Sequence, residues 1–181
     1  MFLSLVDLLE EKSFNSITVD NILRNSRISR GTFYRYVSDK KSLLIFGVSH
    51  YINEVIMEMG LPDPDNRESL KRIIELFIST LEKRERIFRI VLGPNAPPSV
   101  EKYISKRINH YLKFCIYRNV PGDSYFFSRN YLSIMTTNVI IGMLKEWPTL
   151  SKVQKEKMTD YFHHFSRDGL TGLISNDPSN F

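Results

Sequence analysis

A single cysteine, Cys115, stands among 181 residues, so no disulfide can form within the chain. That usage suits a reducing cytoplasm. The surrounding run YLKFCIY is apolar, which reads as the setting of a small buried hydrophobe. No apolar run reaches the roughly 18 residues that a membrane span needs, so no membrane partner is expected. The longest candidate, 132–144, is interrupted by Ser133, Thr136, Thr137 and Asn138. Sustained strand-like alternation is missing, and so is any internal repeat. The start carries Asp7, Glu10 and Glu11 where a secretory leader would be basic, so no signal peptide is expected. Catalytic grammar is also missing. His50, His110, His163 and His164 are scattered, and there is no His-Glu-x-x-His, nucleophile elbow or glycine-rich phosphate loop. Asp63, Asp65 and Glu68 are near one another, but the prolines around them do not make a calcium loop. The expectation is a protein with no catalytic residue, metal site or cofactor.

What is present is a concentrated positive charge. The net charge is +5. Between positions 24 and 41 stand Arg24, Arg27, Arg30, Arg35, Lys40 and Lys41 against Asp39 alone. This one stretch thus carries an excess equal to that of the whole chain, the footprint of a polyanionic partner. It coincides with helix-turn-helix grammar. Leu5, Leu8 and Leu9 set a first helix over 2–12. Ser16 or Thr18 can cap a second helix, 19–25, with Val19, Ile22 and Leu23 inward. Asn25-Ser26-Arg27 is the turn. Ser29 caps a third helix, 30–36, anchored by Phe33. Its outward residues, Arg30, Gly31, Thr32, Tyr34 and Arg35, suit a major groove: two guanidinium forks, a hydroxyl with a methyl, and a glycine that allows close approach. Ser38 is expected to cap a fourth helix ending near Met59. Lys40 and Lys41 in its first turn oppose the helix dipole unless a phosphate sits there.

The stretch 60–66, GLPDPDN, breaks the chain. Asn66 is expected to cap the next helix. Leu70, Ile73, Ile74, Phe77, Ile78 and Leu81 mark its strong amphipathic face. Further helices are expected over 87–93, 99–117, 124–147 and 152–173. The fourth of these five is apolar on nearly every side, which suits a helix packed on its own core and on another chain. The fold class is therefore all-α, with about nine helices. The domain reading is a helix-turn-helix unit at 1–46 and a helical ligand-binding and dimerisation unit at 47–181.

Residues 17–44 closely resemble the N-terminal domain of the tetracycline-repressor (TetR) family of bacterial transcriptional regulators. The resemblance rests on Phe14, Ile17-Thr18-Val19, Ile22, Ile28-Ser29-Arg30-Gly31-Thr32-Phe33-Tyr34, Tyr36, Asp39-Lys40 and Leu43. It covers about a quarter of the chain; the body is similar in helix count and in the style of IIGMLKEW. It implies that Thr18 and Tyr34 touch phosphates, and that Ser29, Arg30, Thr32 and Arg35 reach bases or phosphates. It further implies that Gly31 permits approach to the groove, that Lys40 holds a backbone phosphate, and that Tyr36 packs or reaches the backbone. Arg27 and Lys41 are added as phosphate contacts. Leu23, Ser26 and Arg27 depart from the family's usual small residues at the turn, and no minor-groove contact from a basic arm ahead of the first helix is expected.

The resulting expectation is a cytoplasmic, homodimeric transcription regulator. Its action would be that of an effector-responsive repressor on a pseudo-palindromic double-stranded DNA operator. The alternative is a family-derived coactivator that binds a protein partner instead of DNA. A small apolar or aromatic effector is expected in a pocket made by Phe77, Phe88, Tyr111, Phe114, Tyr131, Met135 and Asn138. Ile140, Leu144, Trp147, Phe162 and Phe165 are expected at the dimer interface.

Overall fold

The computed structural model describes residues 1–61, 67–119 and 129–164, apart from the side chains of 67–71, 118, 119 and 163. Among the described residues the chain is nine α-helices with two short 3-10 turns and no strand. These are α1 (Phe2–Glu11), α2 (Val19–Ser26), α3 (Arg30–Tyr36), α4 (Lys40–Met59), α5 (Arg67–Lys83), α6 (Glu85–Val91), α7 (Pro98–Asn119), α8 (Arg129–Glu146) and α9 (Lys152–His164). The expected cap Asn66 and the stretches 124–128 and 165–173, expected to be helical, lie outside the described residues.

Local chemistry sets the ends of the head helices. Thr18 caps α2 with a capping box. Its Oγ1 accepts the Asn21 N–H at 3.2 Å, and its own N–H donates to Asn21 Oδ1 at 2.8 Å. Ser16 is spent elsewhere, in the 3-10 turn Phe14–Ser16. Ser29 caps α3 as expected, accepting from the Thr32 N–H at 3.1 Å. The cap of α4 is Asp39 instead of Ser38: Asp39 Oδ1 accepts from the Ser42 N–H at 2.6 Å. A carboxylate beside that helix N-terminus is the stronger partner.

One hydrophobic core runs from head to body. At the head, Leu5, Val6, Ile17, Ile22, Phe33 and Leu44 are almost wholly buried. Burial of Phe33 alone fixes α3 against its neighbours; truncating such a residue to alanine costs about 3–5 kcal/mol. The close approach of α1 to α4 depends on Gly47, where any Cβ would fall 1.9 Å from the Phe2 ring. Helix α4 is continuous across position 46. Leu43, Leu44 and Val48 belong to the head, and Ile52, Ile56 and Met59 reach the body.

Polar contacts fasten the two ends together. Arg86 of α6 donates to Asp7 and Glu10 of α1, both at 2.6 Å, and Arg89 reaches Glu10 at 2.8 Å. Asn95 donates from Nδ2 to the Leu9 carbonyl at 2.9 Å, and its own carbonyl accepts the Phe14 N–H at 2.8 Å. On the other side Arg84 meets Glu54 of α4 at 2.6 Å, and the Tyr111 hydroxyl of α7 donates to the Gly60 carbonyl at 2.7 Å. Gly60 ends α4 with φ at +64°, a conformation suited to glycine.

Candidate nucleic-acid interface and effector cavity

Of the six cations in the basic stretch, five are exposed: Arg24, Arg27, Arg30, Arg35 and Lys41. Helix α3 is held by Phe33 and turns Arg30, Gly31, Tyr34, Arg35 and Tyr36 outward. Among the described residues nothing requires a glycine at position 31. A Cβ there would meet only Ser29 Oγ, at an ordinary 3.9 Å. Glycine within a helix costs about 1 kcal/mol relative to alanine, and an alanine would fit at this position. Ser29 and Thr32 share a hydroxyl contact at 2.9 Å on the same surface. The Thr18 hydroxyl is exposed while serving as a cap. Arg30 forms an ion pair with Asp20 of α2, both side chains being 60% exposed. Water screens such a pair, and a phosphate or base can displace the carboxylate.

Arg27 occupies the left-handed position that closes α2, with φ 55° and ψ 37°. That is the conformation the turn requires and glycine would adopt freely. An arginine held there at a cost is a cation placed on the head's surface.

Lys40 has a different occupation from the one expected. Its Nζ donates to the carbonyls of Phe14 (2.7 Å), Ile17 (2.6 Å) and Asn15 (3.3 Å), and stands 4.5 Å from the centre of the Phe14 ring. Those carbonyls lie in and just after the 3-10 turn before α2, and the Phe14 carbonyl also accepts the Ile17 N–H at 3.3 Å. Lys40 therefore pins the α1–α2 connection to the start of α4, while Lys41 beside it faces water.

The body contains an apolar cavity of about 130 Å³. It lies among α4, α5, α6, α7, α8 and α9, lined by residues that include Ile56, Phe77, Phe88, Tyr111, Thr136 and Phe162. Phe77, Phe88 and Tyr111 are among its lining residues. Phe114, Tyr131, Met135 and Asn138 are not: all four are exposed on the outer faces of α7 and α8. Four of the five residues expected at the dimer interface are buried within the subunit. Ile140, Leu144 and Phe162 line the cavity, Trp147 is only 2% exposed within the subunit, and Phe165 lies outside the described residues. For the residues of α8 among them, Tyr131, Met135, Asn138, Ile140 and Leu144, the cause is the rotation of that helix about its axis. Ser133, Thr136 and Thr137 face inward, where Asn109 of α7 donates to Ser133 Oγ and Thr137 Oγ1 at 3.2 and 3.1 Å. Tyr131, Ile134, Met135, Asn138, Val139 and Gly142 then form a continuous exposed stripe at helical spacing.

Burial, with Cys115 close by, raises the Tyr111 phenol well above its ordinary pKa, so it stays neutral at the cavity wall. Among the described residues no group of three or more His, Cys, Asp or Glu could hold a metal ion, and no helix is long and apolar enough to cross a membrane.

No protein-family model matches this sequence, and no curated protein matches it significantly. Solved structures do match the fold. One is the crystal structure of a protein from Syntrophomonas wolfei, named as a candidate TetR-family transcriptional regulator. It superposes with a TM-score of 0.70 at 19% identity, over 97% of this chain and 95% of that one. The fold is TetR-like.

Proposed function

We propose that this TetR-like chain is a cytoplasmic DNA-binding transcriptional regulator, acting as an effector-responsive repressor. As a homodimer it would read a pseudo-palindromic operator, one α3 helix per half-site. The observation that carries the reading is the α3 surface. Exposed cations surround a helix glycine that the chain's own packing does not use. In this reading Arg30 and Arg35 read base edges, with Ser29 and Thr32 beside them. Thr18, Arg27, Tyr34, Tyr36 and Lys41 hold backbone phosphates. Lys40 supports the surface from behind.

The homodimer is drawn from the outer face of α8, in place of the inward residues. Tyr131, Ile134, Met135 and Val139 are each more than a third exposed. An exposed apolar stripe of this kind is the usual mark of a protein contact. Effector control is drawn from α4, which carries cavity-lining residues at one end and head-core residues at the other. A ligand alters DNA affinity only as far as it binds one arrangement of the heads better than the other.

The test is selection from a random-sequence duplex pool by the purified protein. The reading expects enrichment of a two-fold-related motif with half-sites about one helical turn apart. A pool that stays random over successive rounds would overturn it and favour a module that binds a protein partner.

A further inference from the structure

We infer that the body cavity takes a neutral ligand with an apolar body the size of one aromatic ring and a single hydrogen-bonding group, a simple phenol being the type, and that Thr136 meets that group. This names the effector class for the cavity read above and rests on that reading.

Size comes first. The cavity measures about 130 Å³, and an engineered apolar cavity of about 150 Å³ admits benzene. Charge is the second limit. Among the described lining residues there is no Asp, Glu, Lys, Arg or His, so a carboxylate or ammonium would lose its hydration without gaining a counter-ion. The third observation identifies the anchor. Thr136 is 5% exposed, lines the cavity, and among the described residues its Oγ1 has no hydrogen-bond partner. Its neighbours differ: Ser133 and Thr137 both accept from Asn109 and donate to carbonyls of their own helix. The Tyr111 proton is already given to the Gly60 carbonyl. A threonine hydroxyl can rotate to donate or accept, so Thr136 can serve a phenolic hydroxyl in either sense. The choice of an aromatic body follows from Phe77, Phe88, Tyr111 and Phe162 on the wall, with the Phe77 and Phe162 ring centres 5.9 Å apart and tilted at 41°.

The experiment is calorimetric titration of the full chain, without DNA, with phenol, benzene and benzoate at pH 7. Phenol binds, benzene binds more weakly, and benzoate does not bind. Thr136→Val lowers phenol affinity about tenfold, the equivalent of one hydrogen bond, and leaves benzene affinity unchanged. Thr136→Ser keeps phenol binding, and the benzene arm reports whether each variant retains the cavity's shape. Benzoate binding as tightly as phenol, equal phenol affinity in wild type and Thr136→Val, or no binding of phenol or benzene would each overturn the inference. Because DNA is absent, such a failure removes the ligand class and leaves the DNA reading to the duplex selection.

Discussion

Replacing Lys40 by methionine separates a structural cation from a phosphate clamp. Methionine keeps an apolar stem beside Phe14 and removes the ammonium with its three carbonyl contacts. A hydrogen bond from a charged group contributes about 1.5–3 kcal/mol, and an exposed cation–π contact about 0.5–1 kcal/mol. Two of the three contacts, to Phe14 and Ile17, are short and partly buried, and the Asn15 contact is long and exposed. Water can reach part of this site once the ammonium is gone, so a net loss of about 2 kcal/mol is the reasonable sum. For a chain of this length that corresponds to a fall in Tm of about 4–8 °C. The assay is thermal unfolding by circular dichroism, paired with fluorescence anisotropy on random duplex well below the melting range. Lys40→Met should melt earlier and keep the wild-type salt slope. Lys41→Ala should melt normally and reduce the slope by about one unit per contacting head. An unchanged Tm with a reduced slope in Lys40→Met would refute the reasoning and return Lys40 to the DNA backbone.

Other outcomes follow from the same geometry. Arg27→Gly relieves the left-handed strain and should stabilise the fold by about 1 kcal/mol, read by urea unfolding, while weakening binding to all duplexes alike; no gain in stability would contradict the cost assigned to that turn. Arg30→Ala should weaken the selected operator more than random duplex by about 1–3 kcal/mol, and equal losses would make Arg30 a phosphate contact. Val139→Asp should give folded monomers in sedimentation velocity, whereas Ile140→Asp should fail to fold because that side chain is buried at the cavity; a dimeric Val139→Asp would move the seam off this face. Acceptance of the Ser42 N–H lowers the Asp39 pKa below its ordinary 3.8, so its contribution is complete above the unfolded value and is lost as pH falls through the folded one. Asp39→Asn keeps a good cap without that titration, so between roughly pH 4 and 2 its Tm should fall less than wild type's; parallel curves would exclude Asp39 as a source of acid sensitivity.

The head was legible because its signals are local and agree. The caps at Thr18 and Ser29, the anchor Phe33 and the turn ending at Arg27 all stand where the spacing puts them. The carbonyl contacts of Lys40 were not legible for want of a non-local fact: their acceptors lie more than twenty positions earlier and open toward it only in the folded chain. The body was legible as helices and not as faces. On a helix apolar all round, residue type does not say which side is inside. The inward choice fell on a polar run, Ser133, Thr136 and Thr137, because Asn109 of α7 satisfies two of the three hydroxyls. Apolar Tyr131 and Met135 were thereby left outside. A buried cluster of small hydroxyl residues opposite an asparagine was the available clue to that rotation.

The central claim is that the exposed face of α3 and its surroundings bind DNA. Its most direct measurement is the affinity of the wild-type protein for a random-sequence duplex between 50 and 200 mM salt. If Arg27 and Lys41 each neutralise one phosphate in both heads of a dimer, affinity should fall about a hundredfold across that range. Binding that is absent at 50 mM, or flat across the series, would contradict the account.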